Sequence, residues 1–335
     1  MPNRRRLLLA AGLAPLAGWA RAAAGRVVVV GGGWGGLAVA RHLRRLAPGL
    51  DVVVIDRNPA FQSFVGSNRW LVSAPDAVRD AVPLLTLADR FGYRFVQTQV
   101  RHIDRAAGRV LTDAGDFAWD WLVLSPGIAE DWAAWAIGDA AAVAAVRQRY
   151  GGAMQSAADL PALKQRLAGF RGGNLLMTIP PAPYRCPPAP YERALFLAAW
   201  LKQQQIPGKL IVADPNPLMP AYRPALLDRF KDQVIYLDHA RVREIDPARR
   251  IARTDVDDIS FDEAVLSPPQ RAADILHAAG LVRSGADGRP GLWAEQGADD
   301  FRSALDRRIF LIGDAAGPLS PQFGRSSPWN DSMAL

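Results

Sequence analysis

Three glycines with the spacing Gly31-x-Gly33-x-x-Gly36 directly follow the apolar, β-branched run of residues 27–30. This spacing provides a tight turn at Gly31, close backbone approach to a diphosphate at Gly33, and helix packing at Gly36. The positive end of the following helix attracts the diphosphate. Asp56 ends the next apolar run, where an acceptor for the adenosine ribose hydroxyl is expected. The pattern therefore predicts a dinucleotide-binding site.

Cys186 is the only cysteine among the 335 residues, so it has no partner for a disulfide within the chain. It lies just ahead of a helix predicted to begin near Pro190. The N–H groups of that helix, together with Arg185 and Arg193, are expected to lower the pKa of the thiol. Glu192 is placed to relay a proton, although a salt bridge with an arginine is the alternative. Free cysteines are more often buried and inert, so the residues alone leave a structural thiol open.

The elements that position these residues occur twice in the chain. The segment Val100-Arg-His-Ile-Asp104 returns as Val242-Arg-Glu-Ile-Asp246, 142 residues later, and the Ser-Pro pairs that follow keep the same spacing. An apolar run ending in an acid and an Asn-Pro pair also recurs, around Asp56 and around Asp214. Strands and helices alternating in this way predict an α/β fold with two Rossmann-like doubly wound domains.

The two units differ at the turn after their first strand. Residues 180–188 of the second unit read Pro-Pro-Ala-Pro-Tyr-Arg-Cys-Pro-Pro, with no glycine. Proline lacks the N–H that bonds a phosphate, so this unit is expected to bind a nicotinamide cofactor poorly. It is either reassigned to another role or merely structural. We expect residues 25–150 and 268–335 to form the dinucleotide-binding domain and residues 151–267 to form a second domain inserted into it.

Composition narrows the class of protein. A hydrophobic content of 50% fits a globular chain. Removing the four arginines of residues 1–24 from the formal charge of +7 leaves +3, and basic and acidic residues are interspersed, so nucleic-acid binding is not expected. The four histidines are scattered, so we predict no metal site.

Residues 1–24 have the pattern of an export signal. A basic start, an apolar stretch and the exit Ala20-Arg-Ala22 occur in order, and Asn3-Arg-Arg-Arg-Leu-Leu8 resembles a twin-arginine signal. An ordinary signal peptide is the alternative. No other stretch is apolar enough to cross a bilayer, so we expect no transmembrane segment in the mature chain and a periplasmic location.

Two later segments favour a flavin as the dinucleotide. The apolar run ending in Gly313-Asp314 resembles the second flavin motif of FAD-dependent reductases, whose aspartate binds the ribityl chain. The run from Trp121 to Gly127 resembles the strand end that those enzymes place beside the first domain. The resemblance implies FAD as cofactor, with Gly127, Gly313 and Asp314 among its contacts.

Residues Arg185-Cys-Pro-Pro-Ala-Pro-Tyr-Glu-Arg-Ala194 resemble the redox-cysteine segment of the flavin subunit of flavocytochrome c sulfide dehydrogenases, relatives of sulfide:quinone oxidoreductases. The block Ser267-Pro-Pro-Gln-Arg-Ala272 adds to the resemblance. It implies that a reduced sulfur compound is oxidised at Cys186, with Glu192 in support. It also implies that electrons pass through FAD to a c-type cytochrome subunit.

The chain departs from that family at four places. Gly291-Leu-Trp293 stands where the family has its second redox cysteine, and a disulfide cycle cannot run with one sulfur. Phe64 stands where some members attach FAD, which implies noncovalent FAD. Gln322 stands where the family has a lysine near its flavin, so the resemblance implies that a positive charge is missing there. The family also continues beyond Leu335 with a covering helix and an interface domain, so we expect a truncated relative or one that relies on a partner.

These departures leave two other functions open. One is a flavin-binding but catalytically silent protein that acts as an assembly partner, favoured by Trp293. The other is an NADH-dependent flavin reductase, which the proline-rich loop at 180–188 disfavours.

Overall fold

The computed structural model describes residues 25–74, 81–135, 139–153, 159–285, 288, 291–297 and 300–316. Three predictions lie outside these residues: the export signal at 1–24, the role of Gln322, and the C-terminal tail. None of the helices among the described residues is long and apolar enough to span a bilayer.

The first unit is built on a parallel sheet of five strands. Its central strand is buried on both faces, with Val28 and Val29 fully inaccessible, which explains the continuous β-branched run in the sequence. A helix follows that strand after the glycine turn. From edge to edge the strands are Ile309–Leu311 (β19), Trp121–Leu124 (β9), Arg26–Val30 (β1), Asp51–Asp56 (β2) and Arg94–Gln97 (β5), and the helices are Trp34–Leu46 (α1) and Leu84–Phe91 (α3).

The second unit repeats this plan with four parallel strands. Its first strand leads through the proline-rich loop into a long helix, which begins at Pro188, two residues before its predicted start. The strands are Val234–Leu237 (β13), Gly208–Ala213 (β12), Gly173–Thr178 (β11) and Glu263–Val265 (β17), and the helices are Asp159–Gly169 (α5) and Pro188–Gln203 (α6). The helix Ala140–Tyr150 (α4), which was expected at the end of the first domain, packs into the core of this second unit. The predicted α/β fold with two Rossmann-like units is confirmed.

Each unit also carries an antiparallel sheet of three strands, and the two sheets match in detail. Arg101 and Arg243 each form a two-pronged ion pair with the aspartate directly after the neighbouring strand, Asp113 and Asp255. Both first strands carry a register shift at the same place in the repeated segment. The strands are Val100–Asp104 (β6), Arg109–Thr112 (β7) and Gly115–Ala118 (β8) in the first unit, and Val242–Asp246 (β14), Ile251–Thr254 (β15) and Asp258–Ser260 (β16) in the second.

Several short elements complete the two units. Strands Ile128–Glu130 (β10) and Gln270–Ala272 (β18) pair antiparallel where the chain leaves and re-enters the first unit. A second pair, Ala60–Gln62 (β3) and Ala81–Pro83 (β4), flanks the helix Ser67–Leu71 (α2). The helix Asp274–Ala278 (α7) packs against β6.

Helix α2 belongs to the first unit but lies on helices α5 and α6 of the second. The Arg193 guanidinium, 2% exposed, donates through Nε to Asn68 Oδ1 at 2.8 Å. The ammonium of Lys164, 4% exposed, donates to the Trp70 carbonyl at 2.7 Å. Because a buried charge without acceptors is costly, these two bonds fix the first-unit segment on the second unit.

Candidate active site between the two units

The glycines of the turn after β1 have two kinds of surroundings. Gly31 has φ +110°, and a Cβ there would lie 2.2 Å from the Ser125 carbonyl oxygen. A Cβ at Gly36 would lie 1.9 Å from the Gly31 carbonyl oxygen. Both positions therefore require glycine for packing. At Gly33, by contrast, nothing lies within 4 Å of an added Cβ, so this position opens onto free space.

Helix α1 begins beside that free space. Its N-cap residue is Gly33, which has no side chain, so no capping side chain occupies the free N–H groups of the first turn. Asp56, at the end of β2, accepts from the Gly32 N–H at 2.6 Å and from the Asn58 N–H at 2.7 Å, and it stays partly exposed. The carboxylate thus supports the glycine turn while remaining accessible to a ligand.

The ends of β9 and β19 meet the same turn. The Ser125 N–H donates to the Val30 carbonyl at 2.8 Å. A Cβ at Gly35 would lie 3.6 Å from the Gly313 nitrogen, so the Gly-Asp turn borders α1. Gly127 and Gly313 have φ +76° and +77°. The predicted contacts from both later segments are therefore brought to the carboxyl edge of the first sheet.

The loop that carries Cys186 reaches this edge from the second unit. Arg185 Nε lies 2.9 Å from Asp314 Oδ2, and the two side chains are only 16% and 11% exposed. The Arg185 guanidinium lies 4.7 Å from the centre of the Phe64 ring, and its backbone N–H donates to Gln270 Oε1 at 2.8 Å. The residue next to the cysteine thus contacts three segments of the first unit, including the predicted flavin motif.

Cys186 is partly buried and has φ +50°, the left-handed backbone region that favours glycine. Burial raises the pKa of its thiol above the ordinary value, an effect only partly offset by the Ala189 N–H and the Arg185 guanidinium. The nearby carboxylates of Asp314 and Glu192 raise the pKa further. The prediction that this pKa is lowered was wrong. It considered the N–H groups at the start of α6 but not the loss of solvent around the thiol between the two units.

We expect alkylation of Cys186 by iodoacetamide to be slow at neutral pH and to rise with pH, reaching half its maximum above pH 9.0, the ordinary value. The thiolate is the reacting form, and a raised pKa moves its appearance to higher pH. Mass spectrometry across a pH series measures this rate. The chain unfolded in guanidinium is the control, and a midpoint lower than that control would contradict the expectation.

Glu192 is exposed on the first turns of α6, and its Oε2 accepts from Asn68 Nδ2 at 2.6 Å. Arg193 donates to the same side chain, through Nε to Asn68 Oδ1, and it is not among the groups that shift the pKa of the thiol, so it does not assist the thiol as predicted. Burial lowers the pKa of Arg193 to about 10, which leaves it charged near neutral pH. Sequence reasoning missed Asn68, since no local pattern signals its contact with a helix more than 120 residues later.

Gln270 belongs to the block Ser267–Ala272 that adds to the family resemblance, but the sequence did not predict its role. Its side chain is 3% exposed, and Oε1 holds the loop through the Arg185 N–H. Its Nε2 has no hydrogen-bond partner among the described residues. A buried donor without an acceptor costs about 1–3 kcal/mol, so a ligand oxygen or sulfur at this place would be stabilised.

The segment with Trp293 lies beside the same strand. The Ala272 N–H at the end of β18 donates to the Leu292 carbonyl at 2.7 Å, and Ala294 pairs with Ala316, two residues after Asp314. Trp293 is partly buried against the first-unit core. The described residues contain no group of three potential metal ligands.

The fold and the glycine turn define a class of redox proteins. Residues 25–157 match the family described as pyridine nucleotide-disulphide oxidoreductase. Residues 161–266 match the family described as the central part of the sulfide dehydrogenase [flavocytochrome c] flavoprotein chain. The crystal structure of the sulfide:quinone oxidoreductase from Aquifex aeolicus has the same fold, with a TM-score of 0.75 and 20% identity over 92% of this chain and 74% of that one.

Curated relatives narrow the class. The chain is 46% identical over 43 residues to the sulfide dehydrogenase [flavocytochrome c] flavoprotein chain of Chlorobaculum thiosulfatiphilum, which is 13% of this chain and 90% of that sequence. It is 36% identical over 103 residues to the sulfide-quinone reductase of Aquifex aeolicus, covering 30% of this chain and 24% of that protein. The chain belongs to the FAD-dependent sulfide dehydrogenase and sulfide:quinone oxidoreductase family, as predicted.

The match to another relative extends further along the chain. The mitochondrial sulfide:quinone oxidoreductase of Mus musculus is 21% identical over 308 residues, which cover 86% of this chain and 65% of that protein. The chain therefore spans less than two thirds of the length of either sulfide:quinone relative.

Proposed function

We propose that the protein is an FAD-dependent oxidoreductase that oxidises a reduced sulfur compound at Cys186 and passes the electrons through FAD to a c-type cytochrome. The observation that carries this proposal is the ion pair between Arg185 and Asp314. It joins the cysteine loop of the second unit to the Gly-Asp turn expected to hold the flavin. Relatives named sulfide dehydrogenase and sulfide-quinone reductase support the class of substrate.

The residues at the edge of the first sheet fit FAD. The free space at Gly33 and the uncapped N-terminus of α1 suit a diphosphate. Asp56 suits the adenosine ribose, and Gly127, Gly313 and Asp314 suit the flavin half. When bound, FAD supplies an acceptor for two electrons. Phe64 cannot form a covalent link, so the cofactor is held noncovalently.

The chain's own residues supply the sulfur chemistry. The Cys186 thiolate forms an S–S bond with the sulfur of HS⁻, which gives a persulfide anion on Cys186 and releases two electrons and one proton. Bound FAD would supply the acceptor for these two electrons, and Glu192, exposed at the start of α6, takes the proton toward solvent. Gln270 Nε2 donates a hydrogen bond to the reacting sulfur anion.

A single cysteine determines how the product leaves. Trp293 stands in place of a second thiol, so the outer sulfur of the persulfide is removed by an external nucleophile, such as a second sulfide. The bond between the two sulfurs breaks, the thiolate of Cys186 returns, and a polysulfide is released.

The electron acceptor and the location are further parts of the proposal. A c-type cytochrome is supported by the relative named as a flavocytochrome c flavoprotein chain. A periplasmic location, reached by twin-arginine export, is supported by the basic and apolar pattern of residues 1–24.

The second candidate is a catalytically silent, flavin-binding assembly partner. It is favoured by Trp293 at the position of the second cysteine and by the raised pKa of the Cys186 thiol. An NADH-dependent flavin reductase has less support, because both oxygens of Asp214, the counterpart of Asp56, already accept hydrogen bonds from within the protein.

The test is reconstitution of the full chain with FAD, followed by anaerobic addition of sulfide. We expect the flavin absorption band to bleach near neutral pH and a c-type cytochrome to restore it while becoming reduced. A flavin that stays oxidised with sulfide would remove sulfide as substrate. Bleaching by NADH instead would support the reductase.

A further inference from the structure

Asp214 and Asn216 hold the places in the second unit that Asp56, the expected ribose-binding acid, and Asn58 hold in the first. We propose that Asp214 and Asn216 are positioning residues for Cys186. The proposal rests on the proposed function only in assigning Cys186 a reactive role. It concerns residues outside the predicted cofactor contacts.

The correspondence with the first unit is seen in the hydrogen bonds. Asn58 donates its backbone N–H to Asp56 Oδ1 at 2.7 Å, and Asn216 donates its backbone N–H to Asp214 Oδ1 at 2.8 Å. The N–H that follows the first strand donates to the carbonyl just before the acid in both units, at 2.9 Å from Gly31 and 3.0 Å from Ile179. Asp214 therefore occupies the position that Asp56 occupies in the cofactor-binding unit.

The surroundings of the two acids differ. Asp56 is partly exposed, whereas Asp214 is 0% exposed. Asp214 Oδ2 accepts from the Tyr191 hydroxyl at 2.8 Å and from the Tyr236 hydroxyl. Its Oδ1 accepts from the backbone N–H and from Nδ2 of Asn216, both at 2.8 Å. Four internal donors thus occupy the carboxylate, and the tyrosine hydroxyls stand where ribose hydroxyls would otherwise donate.

These bonds reach the cysteine loop from both sides. Upstream of the cysteine, Asn216 Nδ2 donates to the Pro180 carbonyl at 2.9 Å, and Asn216 Oδ1 accepts from the Ala182 N–H at 2.8 Å. Downstream, Tyr191 lies on α6, five residues after Cys186. The loop is therefore fixed to one carboxylate before and after the thiol.

Cys186 needs such a restraint. Its φ of +50° is unfavourable for a residue with a side chain, by about 1 kcal/mol or more. The loop keeps the thiol partly buried, and the charged groups Arg185, Asp314 and Glu192 and the phenols of Tyr184 and Tyr222 interact with it. Without the two hydrogen bonds to the Asn216 side chain, the loop can relax. The Cys186 thiol then becomes more exposed and moves away from these groups.

The experiment compares Asn216→Ala with Asn58→Ala in the full chain reconstituted with FAD. Asn58 holds the same place in the first unit but is exposed, so it is the matched control. Cys186 is the only cysteine, so iodoacetamide uptake reports on this thiol alone. We expect Asn216→Ala to lower the apparent pKa of the thiol and to speed alkylation at pH 7.5 by at least ~5-fold. The rate of sulfide-dependent flavin bleaching should fall at least ~10-fold.

A general loss of stability would not produce this combination of a more reactive thiol with a slower flavin reaction. Asn58→Ala should leave both rates unchanged. If Asn216→Ala does not fold, Tyr236→Phe removes one donor from the same carboxylate and should shift alkylation in the same direction. An alkylation profile equal to the wild type in the folded variant would overturn the proposal. Failure of the wild type to bleach would overturn the proposed function instead, because the alkylation result does not depend on sulfide.

Discussion

Gly33→Val is expected to weaken FAD binding by at least ~100-fold, which is about 2.7 kcal/mol, and to leave the stability of the FAD-free chain unchanged. Nothing in the protein lies within 4 Å of a Cβ at this position, so valine meets no protein atom at that Cβ. It does enter the space proposed for the diphosphate. Titration with FAD, followed by flavin fluorescence, measures the affinity, and thermal unfolding without FAD measures the stability.

Gly169→Val provides the control, since Gly169 also has open space around an added Cβ but ends α5 in the second unit. It should keep the wild-type affinity. Gly36→Ala should behave differently from Gly33→Val, because its Cβ would meet the Gly31 carbonyl at 1.9 Å and destabilise the chain even without FAD. Unchanged FAD affinity in Gly33→Val would mean that the diphosphate does not lie at the start of α1.

Cys186→Ser is expected to slow sulfide-dependent bleaching of the flavin by at least ~1,000-fold, as losses of a nucleophile commonly do. Serine is close to cysteine in size and leaves the Arg185–Asp314 ion pair intact, so FAD occupancy and thermal stability should stay the same. Anaerobic stopped-flow absorbance measures the bleaching rate, and the flavin spectrum measures occupancy.

The same variant separates the proposed enzyme from the silent assembly partner. If Cys186→Ser bleaches at the wild-type rate, electrons reach the flavin without the thiol, and the sulfur chemistry proposed for Cys186 does not occur. Glu192→Gln tests whether the nearby carboxylate alone matters, since it removes the negative charge while its amide oxygen can still accept from Asn68 Nδ2. It should slow bleaching far less than the serine variant does.

Much of the fold follows from short segments of sequence. The run at residues 27–30 predicted a buried parallel strand, and the glycines after it predicted the turn that closes on Ser125. The repeat predicted two related units, and the structure shows the matching ion pairs at Arg101 and Arg243. These features are local, or they recur at a constant spacing, so a pattern in the sequence can reveal them.

The candidate site was harder to predict because its key contacts join distant segments. Arg185 and Asp314 are 129 residues apart, and nothing near either residue indicates their ion pair. The pKa of Cys186 was mispredicted for the same reason, since burial arises from contact between the units. The occupation of Asp214 by Tyr191 and Tyr236 also depends on three separate segments.

The shared register shift in β6 and β14 bears on how the molecule arose. A register shift disturbs strand pairing and is not needed for a three-stranded sheet, so its occurrence at the same place in both units points to a common origin. Descent from one duplicated gene segment explains it directly. The turn from Asp214 to Asn216 survives in the second copy although its glycines do not. The two units thus share the acid turn and the register shift, and they differ in the loop that meets that turn.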